Sequence, residues 1–134
     1  MPPFVAVIDD DNSVRESSES LIRSAGFAVR VFDSAERFLT SPYLREAACL
    51  VLDVRMPGMS GPELRRNLRS GGYDVPVIFI TAAADEEARA RELANGAVAY
   101  LTKPFDEDEL LPAIHRALKL DSKRDDGTGA GGYG

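Results

Sequence analysis

Residues 48–53 have the sequence Ala-Cys-Leu-Val-Leu-Asp, in which five apolar residues are followed by a single acidic residue. Four other short apolar runs occur along the chain, at residues 4–8, 28–32, 75–80 and 97–101. All five runs are rich in apolar residues, contain Val, and lack a clean polar alternation. This pattern is typical of strands that are covered on both faces. The sequence therefore predicts five buried strands.

Segments with helical periodicity separate these runs and follow the last of them. Three begin with a pair that is typical of a capping box: Ser13 with Glu16, Ser60 with Glu63, and Asp106 with Glu109. The other two are expected to begin at Ser34 and Asp85. Strand and helix thus alternate five times, and right-handed crossovers then give a parallel sheet with helices on both faces. The expected fold is α/β, a flavodoxin-like (βα)5 doubly wound sheet with strand order 2-1-3-4-5.

The length and composition indicate one globular domain. The chain has 134 residues, enough to bury a core without covalent cross-links. We expect residues 1–120 to form the domain and residues 121–134, which end in a glycine-rich stretch, to form a disordered linker or tail. Cys49 is the one cysteine, which excludes an internal disulfide, and its apolar neighbours indicate a core residue.

The charge pattern argues against two classes of partner. The net charge is −6 and no stretch concentrates Lys and Arg, so direct binding of DNA by this chain is not expected. The apolar runs are far shorter than the roughly 20 residues that cross a bilayer, and no signal peptide is apparent. We therefore expect no membrane association and a cytoplasmic location. The acidic excess indicates either a cation site or a solubilising surface.

Polar residues follow the predicted strands at their carboxyl ends, where sites in this fold lie. Asp9 and Asp10 follow the first strand, Asp53 the third, Thr81 ends the fourth and Lys103 follows the fifth. Three neighbouring carboxylates repel one another unless a cation neutralises them, and oxygen ligands with room for water suit Mg²⁺. An ammonium and a hydroxyl beside them offer contacts to phosphoryl oxygens. The combination predicts a carboxylate that accepts a phosphoryl group.

Each residue alone has a simpler interpretation. The acidic residues 9–11, followed by Asn12, are also typical of a helix cap and a solvated turn. Thr81 and Lys103 alone would be a strand-end hydroxyl and a surface lysine. Their joint placement at the ends of the correct strands favours a site. Asp11 leaves the first acidic motif ambiguous, and strand-end position favours Asp9 and Asp10 as the ligands.

Four motifs in order carry a family resemblance, at residues 7–11 (VIDDD), 52–61 (LDVRMPGMSG), 80–82 (ITA) and 100–105 (YLTKPF). Over residues 4–120 the chain resembles the receiver domain of two-component response regulators. Residues 55–57 and the start of the first helix are most similar to receivers that drive LuxR-type helix-turn-helix outputs. The resemblance implies a regulatory switch and not an enzyme. It leaves open whether the chain is a stand-alone regulator or part of a longer one.

The resemblance implies roles for the residues at the strand ends. Asp53 would be phosphorylated by a sensor histidine kinase or by a small phosphodonor. Asp9, Asp10, Asp53 and the backbone carbonyl of Arg55 would hold Mg²⁺. Arg55 could also be a solvated loop residue.

The resemblance also implies how the signal spreads. Thr81 and Lys103 would bind the phosphoryl group, and Tyr100 would change rotamer when Thr81 is drawn in. The surface made by the fourth helix, the fifth strand and the fifth helix would then shift and could form a homodimer. The Lys103–Pro104 bond is expected to be cis, with the lysine close to the acceptor. Tyr100 could instead be a half-exposed tyrosine without a switching role, and His115 is read as a surface residue.

Three rival functions have weaker support in the sequence. Haloacid-dehalogenase-type phosphatases also use an aspartyl nucleophile, but they need a second Asp two residues later, where this chain has Arg55. No glycine-rich phosphate-binding loop follows the first strand, which argues against a nucleotide site. A pure interaction module would not need the acceptor, the acidic pair, the threonine and the lysine together.

Overall fold

A computed structural model of the protein describes residues 3–129, with side chains described for residues 3–120. Within these residues one sheet is formed by β1 (Phe4–Ile8), β2 (Val29–Phe32), β3 (Ala47–Asp53), β4 (Val77–Thr81) and β5 (Ala99–Thr102). All neighbouring pairs are parallel, in the order β2-β1-β3-β4-β5. The predicted doubly wound sheet and its strand order are confirmed.

In residues 3–129, five α-helices connect or follow the strands: α1 (Asn12–Ser24), α2 (Ala35–Leu39), α3 (Gly61–Ser70), α4 (Glu86–Ala94) and α5 (Glu107–Gly129). A short 3₁₀ turn at Leu44–Glu46 leads into β3. The expected boundary at residue 120 falls within α5, whose later side chains are not described, and residues 130–134 lie outside the described part. The division into a domain and a tail therefore stays a prediction. Among the described residues, none of the helices combines the length and apolar character needed to span a membrane.

The predicted starts of α2, α3 and α4 are confirmed by their caps. Ser34 accepts a hydrogen bond from Arg37 N, and Asp85 accepts one from Ala88 N. Ser60 and Glu63 form the predicted reciprocal capping box at α3. Each cap satisfies backbone N–H groups that the first turn of a helix leaves without a partner.

The predicted capping box at α1 is wrong. The cap of this helix is Asp11, whose carboxylate accepts hydrogen bonds from Ser13 N at 2.8 Å and Val14 N at 3.3 Å. Glu16 instead accepts from the side chain of Asn12. Because Asp11 already satisfies the first N–H groups, the helix begins two residues earlier than a Ser13 cap would allow.

The core lies on both faces of the sheet, because successive strand residues point to opposite sides. On one face α1 and α5 cover a layer that includes Val5, Cys49, Ile78, Ile22 and Ile114. On the other face α2, α3 and α4 cover a layer that includes Ile8, Phe38, Leu50, Leu64 and Phe79. Cys49 is buried, as predicted. With both layers filled, the strands are rigid supports for the residues at their ends.

The register of the sheet brings the strand ends together at one edge. Ile8 lies opposite Leu52, so Asp9 and Asp53 follow on adjacent strands. On the next pairs Asp53 lies opposite Ile80, and Thr81 lies opposite Thr102, which precedes Lys103.

Candidate functional site

Three carboxylates meet at this edge of the sheet. Asp9, Asp10 and Asp53 each offer an oxygen, and these oxygens all lie within 4.8 Å of one another. Asp9 is fully buried, Asp53 is 4% exposed and Asp10 faces solvent. Asp11 lies outside this cluster because its carboxylate caps α1. The cluster is therefore the one that strand-end position favours.

Asp9 is held from two sides. Its Oδ1 accepts a hydrogen bond from Asp11 N at 2.9 Å, and its Oδ2 lies 2.8 Å from Lys103 Nζ in an ion pair. Lys103 Nζ is also 3.6 Å from Asp53 Oδ2. The Lys103–Pro104 peptide is cis and the lysine lies close to Asp53, so the expected geometry of this segment is confirmed. Although burial of Lys103 acts against its charged form, hydrogen bonding and attraction to Asp9 and Asp53 raise the pKa of its ammonium.

Asp53 is crowded by its neighbours. Burial, reinforced by the Asp9 carboxylate, raises the pKa of Asp53 from 3.8 to about 7, although Lys103 acts in the opposite direction. Arg55 N lies 3.4 Å from Asp53 Oδ1 and donates a weak hydrogen bond to it. Behind Asp53, a Cβ atom at Gly61 would collide with the Asp53 carbonyl oxygen. Glycine at this position therefore lets α3 begin directly beneath the end of β3.

The cluster fits a hard divalent cation. Asp9 Oδ2 is buried, and its contact is the ammonium of Lys103, 2.8 Å away, so this oxygen already faces a positive charge. Two buried carboxylates and a solvent-facing third leave room for water ligands, which suits Mg²⁺. The pKa of Asp53 is raised first by burial and then by the Asp9 carboxylate, and a proton or a cation at this position offsets both effects. The acidic cluster is thus able to bind a metal ion.

Thr81 and Tyr100 lie on the side of Asp53 towards β5. Thr81 is 1% exposed, and its Oγ1 accepts a hydrogen bond from Ala83 N at 3.2 Å. Tyr100 is 6% exposed, so it is a buried tyrosine and not a half-exposed one. Its ring lies 6.1 Å from the Phe79 ring, and burial raises the pKa of its hydroxyl. A cleft above the strand ends is lined by Asp10, Asp11, Asp53, Arg55, Thr81, Ala82, Ala83 and Lys103.

Two further placements bear on the predicted residues. The Arg55 side chain is exposed at the cleft, and His115 is exposed on α5 with its ring edge against Phe27. Sequence reasoning missed the contact of Arg15, whose Nη1 donates to the Asp9 carbonyl oxygen at 2.7 Å. The available signal was a cationic residue in the first turn of a helix that directly follows an acidic strand end.

Comparison with known proteins gives a family match over most of the chain. Residues 5–115 match the family model described as the response regulator receiver domain. Response regulator protein TodT of Pseudomonas putida is 46% identical over 116 residues, which are 87% of this chain and 51% of that protein. Transcriptional regulatory protein FixJ of Bradyrhizobium diazoefficiens is 37% identical over 115 residues, 86% of this chain and 56% of that protein. The chain spans about half the length of these curated relatives.

Solved structures give the same result. The low-resolution structure of response regulator StyR superimposes with a TM-score of 0.88 at 45% identity, covering 97% of this chain and 66% of that one. The crystal structure of FixJ-N has a TM-score of 0.77 at 37% identity, covering 89% of this chain and 95% of that one.

Proposed function

Because the chain belongs to the response regulator receiver domain family, we propose that Asp53 accepts a phosphoryl group from a sensor histidine kinase or a small phosphodonor, with Mg²⁺. Receiver domains are regulatory domains of two-component systems, and the named relatives are regulators. The observation that carries the proposal is the acceptor geometry. Asp53 stands beside Asp9 and Asp10 with Lys103 Nζ 3.6 Å away.

The transfer forms one bond and breaks one. An oxygen of Asp53 attacks phosphorus, the bond to the donor's leaving group breaks, and an acyl phosphate results. Asp9, Asp10, Asp53 and the Arg55 carbonyl would hold Mg²⁺, which would supply charge neutralisation to the transferring group. Lys103 is near enough to contact one phosphoryl oxygen, and this contact would replace its present ion pair with Asp9. The hydroxyl of Thr81 can donate a hydrogen bond to another phosphoryl oxygen.

The signal is proposed to leave the site through Thr81 and Tyr100. When Thr81 is drawn to the phosphoryl group, Tyr100 changes rotamer, and the surface of α4, β5 and α5 shifts. Of its nine residues, α4 buries Ala88 and Glu92, so few large side chains hold it in place. This surface is proposed to form a homodimer or to dock the output. By analogy with FixJ, the output is control of transcription.

Phosphorylation of the acceptor can be tested with a small donor. Acetyl phosphate and Mg²⁺ are expected to add one phosphoryl group by intact mass, and Asp53→Asn is expected to remove that gain. Chelation of the metal is expected to stop the reaction because the charges are then not neutralised. Asp11→Asn is the matched control, since Asp11 is an adjacent acid outside the cluster. Undiminished labelling of the Asp53→Asn protein would refute the assignment.

A further inference from the structure

Arg15, in the first turn of α1, reaches the acidic cluster through the main chain and not through a carboxylate. Its Nη1 donates to the Asp9 carbonyl oxygen at 2.7 Å, and its Nη2 donates to the Asn12 side-chain oxygen at 3.0 Å. Hydrogen bonds from a charged donor are stronger than neutral ones, and two of them fix the plane of the guanidinium group. The orientation of the peptide between Asp9 and Asp10 is thereby tied to α1.

The two acids of the β1 end differ in how they are held. The Asp9 carboxylate contacts Asp11 N and Lys103. The Asp10 side chain is exposed and, within residues 3–120, takes part in none of the hydrogen bonds or ion pairs. Its place in the cluster therefore depends on its backbone. The peptide that enters Asp10 is the one whose oxygen Arg15 holds.

We propose that Arg15 is a positioning residue for the divalent cation, which it serves by holding the Asp9–Asp10 peptide so that the Asp10 carboxylate stays in the cluster. The inference rests on the proposed function, because it takes Asp10 to be a ligand of Mg²⁺. Loss of an outer partner of a metal ligand costs about 10–100-fold in metal affinity. Arg15 acts through a backbone carbonyl, so we expect the lower end of that range.

The sign of the effect separates positioning from simple electrostatics. Removing a positive charge near an acidic cluster strengthens cation binding by Coulomb's law, whereas loss of positioning weakens it. Arg37 provides the matched control. Arg37 and Arg15 line a second cleft, at the end of β2, together with Val31, Phe32 and Asp33. The ion pair of Arg37 is with Asp33, at 3.8 Å. Arg37→Gln thus removes the same charge from the same cleft and leaves the Asp9 carbonyl bound.

The experiment measures binding of Mg²⁺ and Mn²⁺ to the unphosphorylated protein by isothermal titration calorimetry. Arg15→Gln is expected to weaken binding about tenfold. The cation affinity of Arg15→Lys is expected to lie between those of the parent and Arg15→Gln, since an ammonium can donate to the Asp9 carbonyl but does not hold the same planar bridge. Arg37→Gln is expected to bind as the parent does or more tightly.

A second readout uses the rate of phosphorylation by acetyl phosphate at increasing Mg²⁺ concentration. The half-saturating concentration for Arg15→Gln is expected to rise by the same factor, with a plateau rate within about twofold of the parent. Equal or tighter cation binding by Arg15→Gln would overturn the proposal, as would a lower plateau without a change in half-saturation. If Arg15→Gln does not fold, parent-like affinity of Arg15→Lys overturns it. Parent-like binding by Asp10→Asn would instead remove Asp10 from the metal site and overturn that part of the proposed function.

Discussion

The contact between α3 and α4 allows a stability prediction to be worked out in detail. The side chains of Arg65 and Glu92 are 6% and 8% exposed, with Arg65 Nη1 4.0 Å from Glu92 Oε1. Among the described residues, Nε and Nη1 of Arg65 have no hydrogen-bond partner. At this distance and an effective dielectric constant of about 20, the attraction is about 4 kcal/mol. The cost of removing both charges from water offsets much of it.

The two single substitutions are expected to differ. Glu92→Leu leaves the buried Arg65 without its counter-charge and is expected to lower the free energy of unfolding by about 3 kcal/mol. Arg65→Leu is expected to cost about 1–2 kcal/mol, because Glu92 retains Arg91 Nε at 3.6 Å. The double variant Arg65→Leu/Glu92→Leu is expected to lie within about 1 kcal/mol of the parent, since apolar pairs often replace buried ion pairs without loss.

Urea unfolding of the metal-free protein measures all three changes. Glu19→Gln is the control, because it breaks an exposed pair with Arg23 of 2.7 Å and is expected to cost about 0.5 kcal/mol or less. Additive losses in the double variant would contradict the reasoning, because they would mean that Arg65 and Glu92 contribute independently. So would a Glu92→Leu protein that is as stable as the Glu19→Gln protein.

Three other predictions concern the proposed switch. Because the pKa of Asp53 is about 7 without metal, a proton must leave before the cation binds. The affinity for Mg²⁺, measured by calorimetry, is therefore expected to rise with pH up to about 7 and then level off. A flat profile from pH 5 to 8 would contradict this. Phosphorylation is expected to increase amide exchange in α4 and at Tyr100, and Thr81→Ala is expected to remove that increase while labelling persists; changes confined to α2 and α3 argue against it. Replacing Arg55 by Asn and Ala83 by Glu is expected to speed loss of the phosphoryl group in a pulse-chase, since the introduced side chains can orient water. Decay no faster than in the parent would show that the introduced side chains do not orient water here.

The sequence was most informative where local chemistry and topology agree. The apolar runs predict the strands, and the doubly wound order follows from their alternation with helices. Once that order is known, the strand-end rule alone brings Asp9, Asp53 and Lys103 to one edge, as the register shows. The prediction of Ser13 as the N-cap of α1 is wrong because Asp11 and Ser13 are both good N-cap residues. Their local sequence does not decide between them.

Contacts that depend on tertiary partners could not be predicted in this way. The pattern of α3 indicates an inward face at Leu64 and Leu68, and it gives no reason to bury Arg65. That residue is buried because Glu92 arrives from α4, a helix separated from α3 by a strand. The bond from Arg15 to the Asp9 carbonyl is similar, since the sequence places a cationic residue near the acidic strand end but does not show which backbone oxygen it reaches.

The way α4 is attached has a thermal consequence. The helix buries the methyl group of Ala88 and the charged Glu92, and it packs Leu93 partly against the core. Heat-capacity changes arise chiefly from exposed apolar surface, at about 1.2–1.5 kcal/mol/K for each 100 residues in global unfolding. Releasing α4 alone exposes little such surface, so its heat-capacity change is small. A van 't Hoff plot of the equilibrium constant between attached and released α4 would then be nearly straight. It would stay so even through the temperatures at which the stability of the whole domain passes its maximum.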